Sequence, residues 1–209
     1  MMNNTESTIM ERLAPYSGFN KANHIASGSL GQVAIAVKTR FADAHGDGTL
    51  IFDNSTGRVV DIDYRGSDAD ILARLPAAPS SGDEPAEAMQ RGPGRPKLGV
   101  VAREVTLLPR HWEWLAAQPG GASVALRKLV EDARRAHADK DKARLAQERT
   151  YRFMSAMLAS EAGLEEATRA LFAGKREPFE TLSAPWPADL REHVRRLAAD
   201  AFSDERAVP

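Results

Sequence analysis

Apolar and polar residues alternate in the first third of the chain as they do in half-buried β-strands. Residues 16–27 predict two short strands joined by a turn at 20–23, and residues 49–52 and 58–64 predict a second pair. In the segment 58–64, apolar side chains stand at every second position, which is the period of a strand with one face against a core. We therefore expect two antiparallel hairpins.

Two helices are predicted within the same region. Ser29 stands where an N-cap belongs, and apolar residues follow at helical spacing: Leu30, Val33, Ala34, Val37 and Phe41. Ser67 opens a second, shorter helix in the same manner. The order ββαββα over residues 16–75 predicts a small α+β domain whose antiparallel sheet is covered by helices, after a flexible N-terminus at 1–15.

Proline and glycine interrupt this pattern between residues 76 and 98, which predicts a flexible and partly extended linker. From residue 99 the pattern predicts a strand at 100–107 and a short helix at 110–118, preceded by Pro109. A glycine turn and a second helix capped by Ser123 complete a segment that ends at residue 137.

The last region, residues 138–209, is predicted to be helical. Residues 139–149 are nearly all charged, which is typical of a solvated helix, whereas 151–159, 164–172 and 188–202 are amphipathic. The whole chain is thus expected to be α+β, with a helical C-terminal region after the strand-helix-helix middle.

The composition narrows the class of protein. The 209 residues are 43% hydrophobic and contain no cysteine, which excludes disulfides, a thiolate nucleophile and a cysteine-ligated zinc finger. There is no run of eighteen apolar residues and no basic-then-apolar leader, so we expect a cytoplasmic protein without a membrane span. No spacing of histidines or carboxylates indicates a metal or another cofactor.

The charge is unevenly distributed along the chain. Residues 1–90 have a net charge of −5, residues 91–150 of +6 and residues 151–209 of −2. A basic segment between acidic ones is typical of a protein that meets a polyanion such as DNA, although such clusters also occur on ordinary solvated surfaces.

The strongest local signal lies within the linker. The tripeptide Gly94-Arg95-Pro96, with basic neighbours at Arg91 and Lys97, resembles the core of an AT-hook. Proline keeps such a segment extended, glycine permits close approach of the backbone, and the arginine can enter a narrow A·T minor groove. The alternative is a basic linker with no ligand.

The segment 100–135 resembles a ribbon-helix-helix unit, in which the strand pairs with its twin from a second chain and enters the major groove. The resemblance implies a homodimer. Of the outward positions of that strand, only Thr106 carries a donor suited to base edges, and Glu104 would repel phosphate. We therefore add Arg127 and Lys128, on the second helix, as phosphate contacts. The alternative is a strand-helix-helix piece of an ordinary domain.

Three stretches together resemble an uncharacterised bacterial family catalogued as domain of unknown function 2239. They are residues 52–61 (FD and TGRVVD), residues 94–115 (GRPKLGVV and REVTLLPRHWEWL), and residues 166–172 (EATRALF). The resemblance extends over nearly the whole chain. It implies a bacterial protein but brings no activity and no functional residues.

The favoured hypothesis is a cytoplasmic, homodimeric DNA-binding protein, such as a transcriptional regulator. The second is a protein-protein interaction or scaffold protein in which the basic arm is only a linker. An enzyme ranks third, because no catalytic motif is present. The carboxylates of Asp61 and Asp63 share a strand face but have no third ligand, so they are interpreted as solvated.

Overall fold

The computed structural model describes residues 13–41, 48–76, 101 and 103–202. Its elements are β1 (Tyr16–Asn20), β2 (Asn23–Gly28), α1 (Leu30–Arg40), β3 (Thr49–Asp53), β4 (Arg58–Val60), α2 (Asp68–Arg74), α3 (Pro109–Ala116), α4 (Gly121–Met157), α5 (Leu164–Phe172), α6 (Arg176–Ser183) and α7 (Ala188–Leu197). The α+β class is confirmed. The chain forms two compact units: the sheet unit, residues 1–78 with 139–209, and the central unit, residues 79–138.

The four strands form one antiparallel sheet in the order β2-β1-β3-β4, as the two predicted hairpins require. The last strand ends at Val60, earlier than the predicted 58–64. Beyond it, the Asp63 carboxylate accepts hydrogen bonds from the backbone N–H and the Nε of Arg65, at 3.1 and 2.9 Å. This local turn offers the backbone an alternative to the strand ladder and leads the chain toward α2.

Both predicted N-caps of the sheet unit are confirmed. The Ser29 hydroxyl accepts from the Gln32 backbone, and the Gln32 side chain accepts from the Ser29 backbone N–H at 2.9 Å, which completes a capping box. Ser67 and Asp70 repeat this arrangement at α2. The two helices cover one face of the sheet and bury Val33, Val37, Ile51 and Ile71 among others. Local chemistry therefore determines where both helices begin.

The other face of the sheet packs against the C-terminal helices. Phe19 of β1 and Phe52 of β3 surround Phe153 of α4, with ring centroids 5.3 and 4.7 Å from it, and all three are fully buried. His193 of α7 lies 4.9 Å from Phe19 and 4.7 Å from Phe153. We call these four residues the aromatic cluster. Because of it, two regions that are separate along the sequence share one hydrophobic core.

The long helix α4 differs from the prediction. It runs unbroken for 37 residues, so Ser123 lies inside it and does not cap it, and 151–159 is not a separate helix. No glycine or proline lies between 122 and 157 to stop it. One face of the second half of α4 is fully buried at Ala146, Thr150, Phe153 and Met154. This packing stabilises a segment whose charged residues had predicted a solvated helix.

The other C-terminal helices agree with the pattern in part. The predicted 164–172 is α5, while the predicted 188–202 ends as a helix at Leu197. No helix was predicted between 173 and 187, where the structure has α6; its first turn contains Pro178, which is tolerated at that position. Trp186 is buried at the corner before α7, and its Nε1 donates to the Ala162 carbonyl at 3.0 Å.

In the central unit, the helix predicted at 110–118 is α3, with Pro109 as its first residue. The residues described from the expected strand, Val101 and 103–107, form no strand within the single chain. A strand needs a partner for its hydrogen bonds, and none of the described residues of this chain supplies one. Pairing with a second chain stays a prediction. Among the described helices, none combines the length and the apolar composition that crossing a bilayer requires.

The turn between β3 and β4 should be intolerant of any side chain at Gly57. This glycine has a φ of 69°, and a Cβ there would lie 2.1 Å from the Arg149 carbonyl oxygen of α4. Gly57→Ala should lower the free energy of unfolding by about 3 kcal/mol or more, since left-handed strain adds to overpacking. Gly174 is a matched control with a φ of 68° and nothing within 4 Å. Gly174→Ala should cost only about 1 kcal/mol by urea denaturation. Equal losses would contradict this account.

His193 should make stability depend on pH. Burial, followed by the positive charges of His24 and Arg196, lowers the pKa of His193 from 6.5 to about 3. Between pH 6.5 and about 3, His193 is therefore protonated in the unfolded chain but not in the folded chain. Stability should fall as pH falls through this window, by at most about 1.4 kcal/mol per pH unit.

Urea denaturation at pH 7 and pH 5 checks the expectation for His193. His193→Gln should reduce the difference in unfolding free energy between the two pH values, whereas His111→Gln, at an exposed position of α3, should leave it unchanged. An unchanged difference in His193→Gln would exclude His193 as the group responsible.

Candidate nucleic-acid interface

The predicted DNA-binding residues fall into two groups. Arg91, Gly94, Arg95, Pro96 and Lys97, which make up the basic arm, lie outside the described residues. Thr106, Arg127 and Lys128 are described, and all three are exposed in the central unit. The part of the interface that the structure describes lies in the central unit, and the basic arm stays a prediction from the sequence.

Arg127 and Lys128 lie on the exposed surface of α4. The Nε of Arg127 donates to the Ser123 carbonyl one turn earlier at 3.2 Å, and neither cation has an acidic partner among the described residues. Further along the helix, by contrast, Glu131 lies 3.3 Å from Arg134 and 3.7 Å from Arg135. Unlike Arg134 and Arg135, the two predicted cations therefore have no salt bridge to a carboxylate among the described residues.

Thr106 lies in the segment before α3, where the described residues have no regular secondary structure. Glu104, the unfavourable residue of the expected ribbon, is exposed as well. From residue 101 to 138 the chain carries six Lys or Arg and four Asp or Glu. These residues therefore contribute only +2 of the net charge of +6 that residues 91–150 carry. The rest belongs to the arm and to later residues of α4.

The apolar side chains of the central unit are mostly exposed. Leu115 and Ala125 are buried, but large apolar residues around them are not: Val101, Val105, Leu108, Trp112, Trp114, Leu129 and Val130. Val101 is 71% exposed, Val130 64% and Trp114 52%. We call this set the exposed apolar surface. Single exposed apolar residues are ordinary, but so many in about 30 residues indicate a surface that packs against something else.

Part of this surface is concave. A shallow pocket of about 200 Å³ is lined by residues of α3, the turn and α4: Trp114, Gln118, Pro119, Ala125, Lys128 and Leu129. It places the ammonium-bearing Lys128 at the border of an apolar depression. Aromatic side chains such as Trp114 are enriched in binding interfaces, whereas lysine is more typical of their rim.

The sequence missed the exposure of two tryptophans. No alternation of basic and aromatic residues surrounds Trp112 and Trp114, so the sequence predicts that they are core anchors rather than base-stacking residues, but they are 41% and 52% exposed. Two residues that are two positions apart on a helix point about 200° apart, so they cannot both face one core. That spacing was a signal that at least one of them faces outward.

The described carboxylates do not assemble an acid-base or metal site. Asp63 is engaged by Arg65 at 2.8 Å and lies 3.7 Å from Arg74, and the Arg65 hydrogen bonds hold the pKa of Asp63 well below its usual range. In the part of the chain that the structure describes, no group of three or more histidine, aspartate or glutamate residues is arranged to hold a metal ion. Asp63 therefore serves as a turn and pairing residue.

Comparison with known proteins identifies the family. The model of a family described as an uncharacterized protein conserved in bacteria, domain of unknown function 2239, matches residues 15–198. This range includes both units, and the chain belongs to that family. No curated protein and no solved structure matches the chain. The family description names no activity, so any function has to be argued from the residues.

Proposed function

We propose that the protein is a homodimeric, cytoplasmic DNA-binding protein acting as a transcriptional regulator. In this proposal the central unit forms the dimer and, with the basic arm, contacts DNA. The observation that carries it is the exposed apolar surface beside two cations without acidic partners, on helices that follow a basic Gly-Arg-Pro segment.

A second copy of the chain is the occupant that best fits the exposed apolar surface. The described residues between 101 and 108 pair with no strand in the part of the chain that the structure describes, and an identical segment from another copy supplies the same unused donors and acceptors. A twofold axis would bring the same apolar residues together from both sides. Burial of large apolar side chains contributes about 1.5–3 kcal/mol for each one.

DNA is the polyanion that best fits the charge distribution. Residues 91–150 have a net charge of +6, and a dimer doubles this charge along one surface. Arg91, Arg95 and Lys97 would meet phosphates or the minor groove, while Arg127 and Lys128 would meet the backbone from a helix. Because the outward positions of the expected ribbon carry few donors, specificity would come from the minor groove and DNA shape rather than from major-groove contacts.

A protein-protein interaction function is the second candidate, and one observation favours it. Trp112 and Trp114 are exposed on the short helix α3, and tryptophan is enriched among the residues that dominate protein interfaces. In this case the exposed apolar surface would bind a different protein and the arm would be a linker. The two tests below distinguish the candidates.

The first test measures DNA binding by fluorescence anisotropy of labelled A·T-rich and G·C-rich duplexes across a salt series. Wild type should prefer A·T-rich DNA and lose affinity steeply with salt, because each neutralised phosphate releases counterions. Arg95→Ala should weaken binding and reduce the A·T preference. The double variant Arg127→Gln, Lys128→Gln should lower the salt slope by about 2, since two phosphate contacts are removed.

The matched control for DNA binding is Arg169→Gln, an exposed arginine of α5 in the sheet unit. It should leave affinity and salt slope unchanged. No binding of wild type at moderate salt, or equal losses in Arg169→Gln and the Arg127/Lys128 variant, would argue against an interface in the central unit.

The second test measures mass by sedimentation velocity over a range of concentrations. Wild type should form a dimer, and the tryptophan emission should shift to the blue as Trp114, which lies beside Leu129, becomes buried. Leu129→Glu should dissociate the dimer because it places a charge in the apolar interface. Leu145→Glu is the control, since Leu145 lies on the same helix in the sheet unit and is similarly exposed, at 56% against 47%. A monomer at all concentrations would exclude the dimer.

A further inference from the structure

A polar cavity of about 310 Å³ lies in the sheet unit, apart from the proposed DNA interface. It is bounded by the start of the described chain, the strands β1 and β2, and helix α7. The polar side chains that line it are Ser17, Ser27, Glu192, His193 and Arg196. Its volume falls at the lower end of the range for small-molecule sites.

The strand side of the cavity carries a chain of hydrogen bonds. The Nδ2 of Asn54, which is buried, donates to the Ala14 carbonyl at 2.7 Å and to the Ser17 hydroxyl at 2.8 Å. The Ser17 and Ser27 hydroxyls lie 2.8 Å apart, and the Ser27 hydroxyl lies 2.8 Å from the Nε2 of His24. Because the Asn54 Nδ2 can only donate, the Ser17 hydroxyl accepts from it and directs its own proton toward Ser27 or the cavity.

The helix side carries a histidine without hydrogen-bond partners. His193 is 5% exposed, and neither of its ring nitrogens has a partner among the described residues. Its Nε2 is fully buried within the aromatic cluster, so the Nδ1 edge is the part of the ring that can reach the cavity. The Nδ1 edge of His193 has no hydrogen-bond partner among the described residues, so it is available to a ligand in the cavity.

Arg196 is a cation on α7 whose terminal N–H groups are available as hydrogen-bond donors. Its Nε lies 3.2 Å from the Glu192 carboxylate, one turn away on α7, while its two terminal nitrogens have no partner among the described residues. Asp189, the other nearby carboxylate, accepts from the His24 backbone N–H at 2.8 Å. Both carboxylates are therefore already engaged, and Arg196 retains the fork that suits an oxyanion.

We propose that this cavity binds a small oxyanion, namely the carboxylate or phosphate group of a metabolite. The donors are the terminal nitrogens of Arg196 and whichever of the Ser17 and Ser27 hydroxyls does not donate to the other, and His193 closes the apolar end. An anion fits better than a cation, because the Glu192 carboxylate that lines the cavity is already paired with the Arg196 Nε and the terminal nitrogens of Arg196 are donors only. A bound anion counters the positive charges of His24 and Arg196 and raises the pKa of His193 from its low value, so anion uptake favours protonation of His193.

The test uses the full chain and two probes, inorganic phosphate and acetate, titrated at pH 7 and constant ionic strength. The ring resonances of His193 are followed by NMR, and affinity is checked by calorimetry. Wild type should show a saturable shift with at least one probe, and the tighter probe indicates whether the natural group is a phosphate or a carboxylate. Arg196→Gln should weaken that binding by about tenfold, the usual loss for a charge-assisted hydrogen bond.

The matched control is Arg195→Gln, because Arg195 is adjacent on α7 and exposed but does not line the cavity. It removes the same charge and should leave affinity unchanged. Arg196 is exposed, so its replacement should not unfold the protein, and thermal denaturation without ligand verifies this. A linear, unsaturated response to both probes, or equal weakening in the two arginine variants, would overturn the proposal by showing only ionic screening.

Discussion

The packing of Phe19 and Phe52 against Phe153 is the contact on which the sheet unit depends. It joins two strands near the N-terminus to a helix about one hundred residues later, with ring centroids 5.3 and 4.7 Å apart. Without it, one face of the sheet would be apolar and exposed, and α4 would have no anchor for its charged second half. The close approach of the Gly57 turn to Arg149 belongs to the same interface. Aromatic pairs at these distances add stability beyond the area that they bury.

His193 gives that core a polar member, with physical consequences. His193 occupies a position in the aromatic cluster where an apolar side chain would be usual. Burial there lowers the pKa of His193 and so favours its neutral form. An imidazole that is buried without hydrogen-bond partners lowers the stability of the fold. We therefore expect such a residue to serve a function. The position of His193 in the wall of the polar cavity, beside Ser17 and Arg196, supplies such a function in the oxyanion site that we propose.

The central unit contrasts with the sheet unit in how its apolar residues are placed. The sheet unit buries two large hydrophobic clusters, one on each face of the sheet, whereas the central unit buries only Leu115 and Ala125 among its described apolar residues and leaves seven large ones exposed. Apolar surface of this extent is favourable only when another surface covers it. The DNA-binding and partner-binding proposals both rest on this feature, and they differ in whether the covering surface is a second copy or another protein.

Local sequence alone determined the elements whose signals are local. The capping boxes at Ser29 and Ser67, the hairpins and the proline at the start of α3 were predictable, because a cap or turn involves side chains within a few residues. The candidate interface was only partly predictable: Arg127 and Lys128 are exposed as expected, but the outward position of Trp112 and Trp114 was missed. Tertiary structure decided the rest. The length of α4 and the placing of Ser17, Ser27 and His193 around one cavity depend on contacts between residues far apart in sequence, which hydrophobic periodicity does not encode.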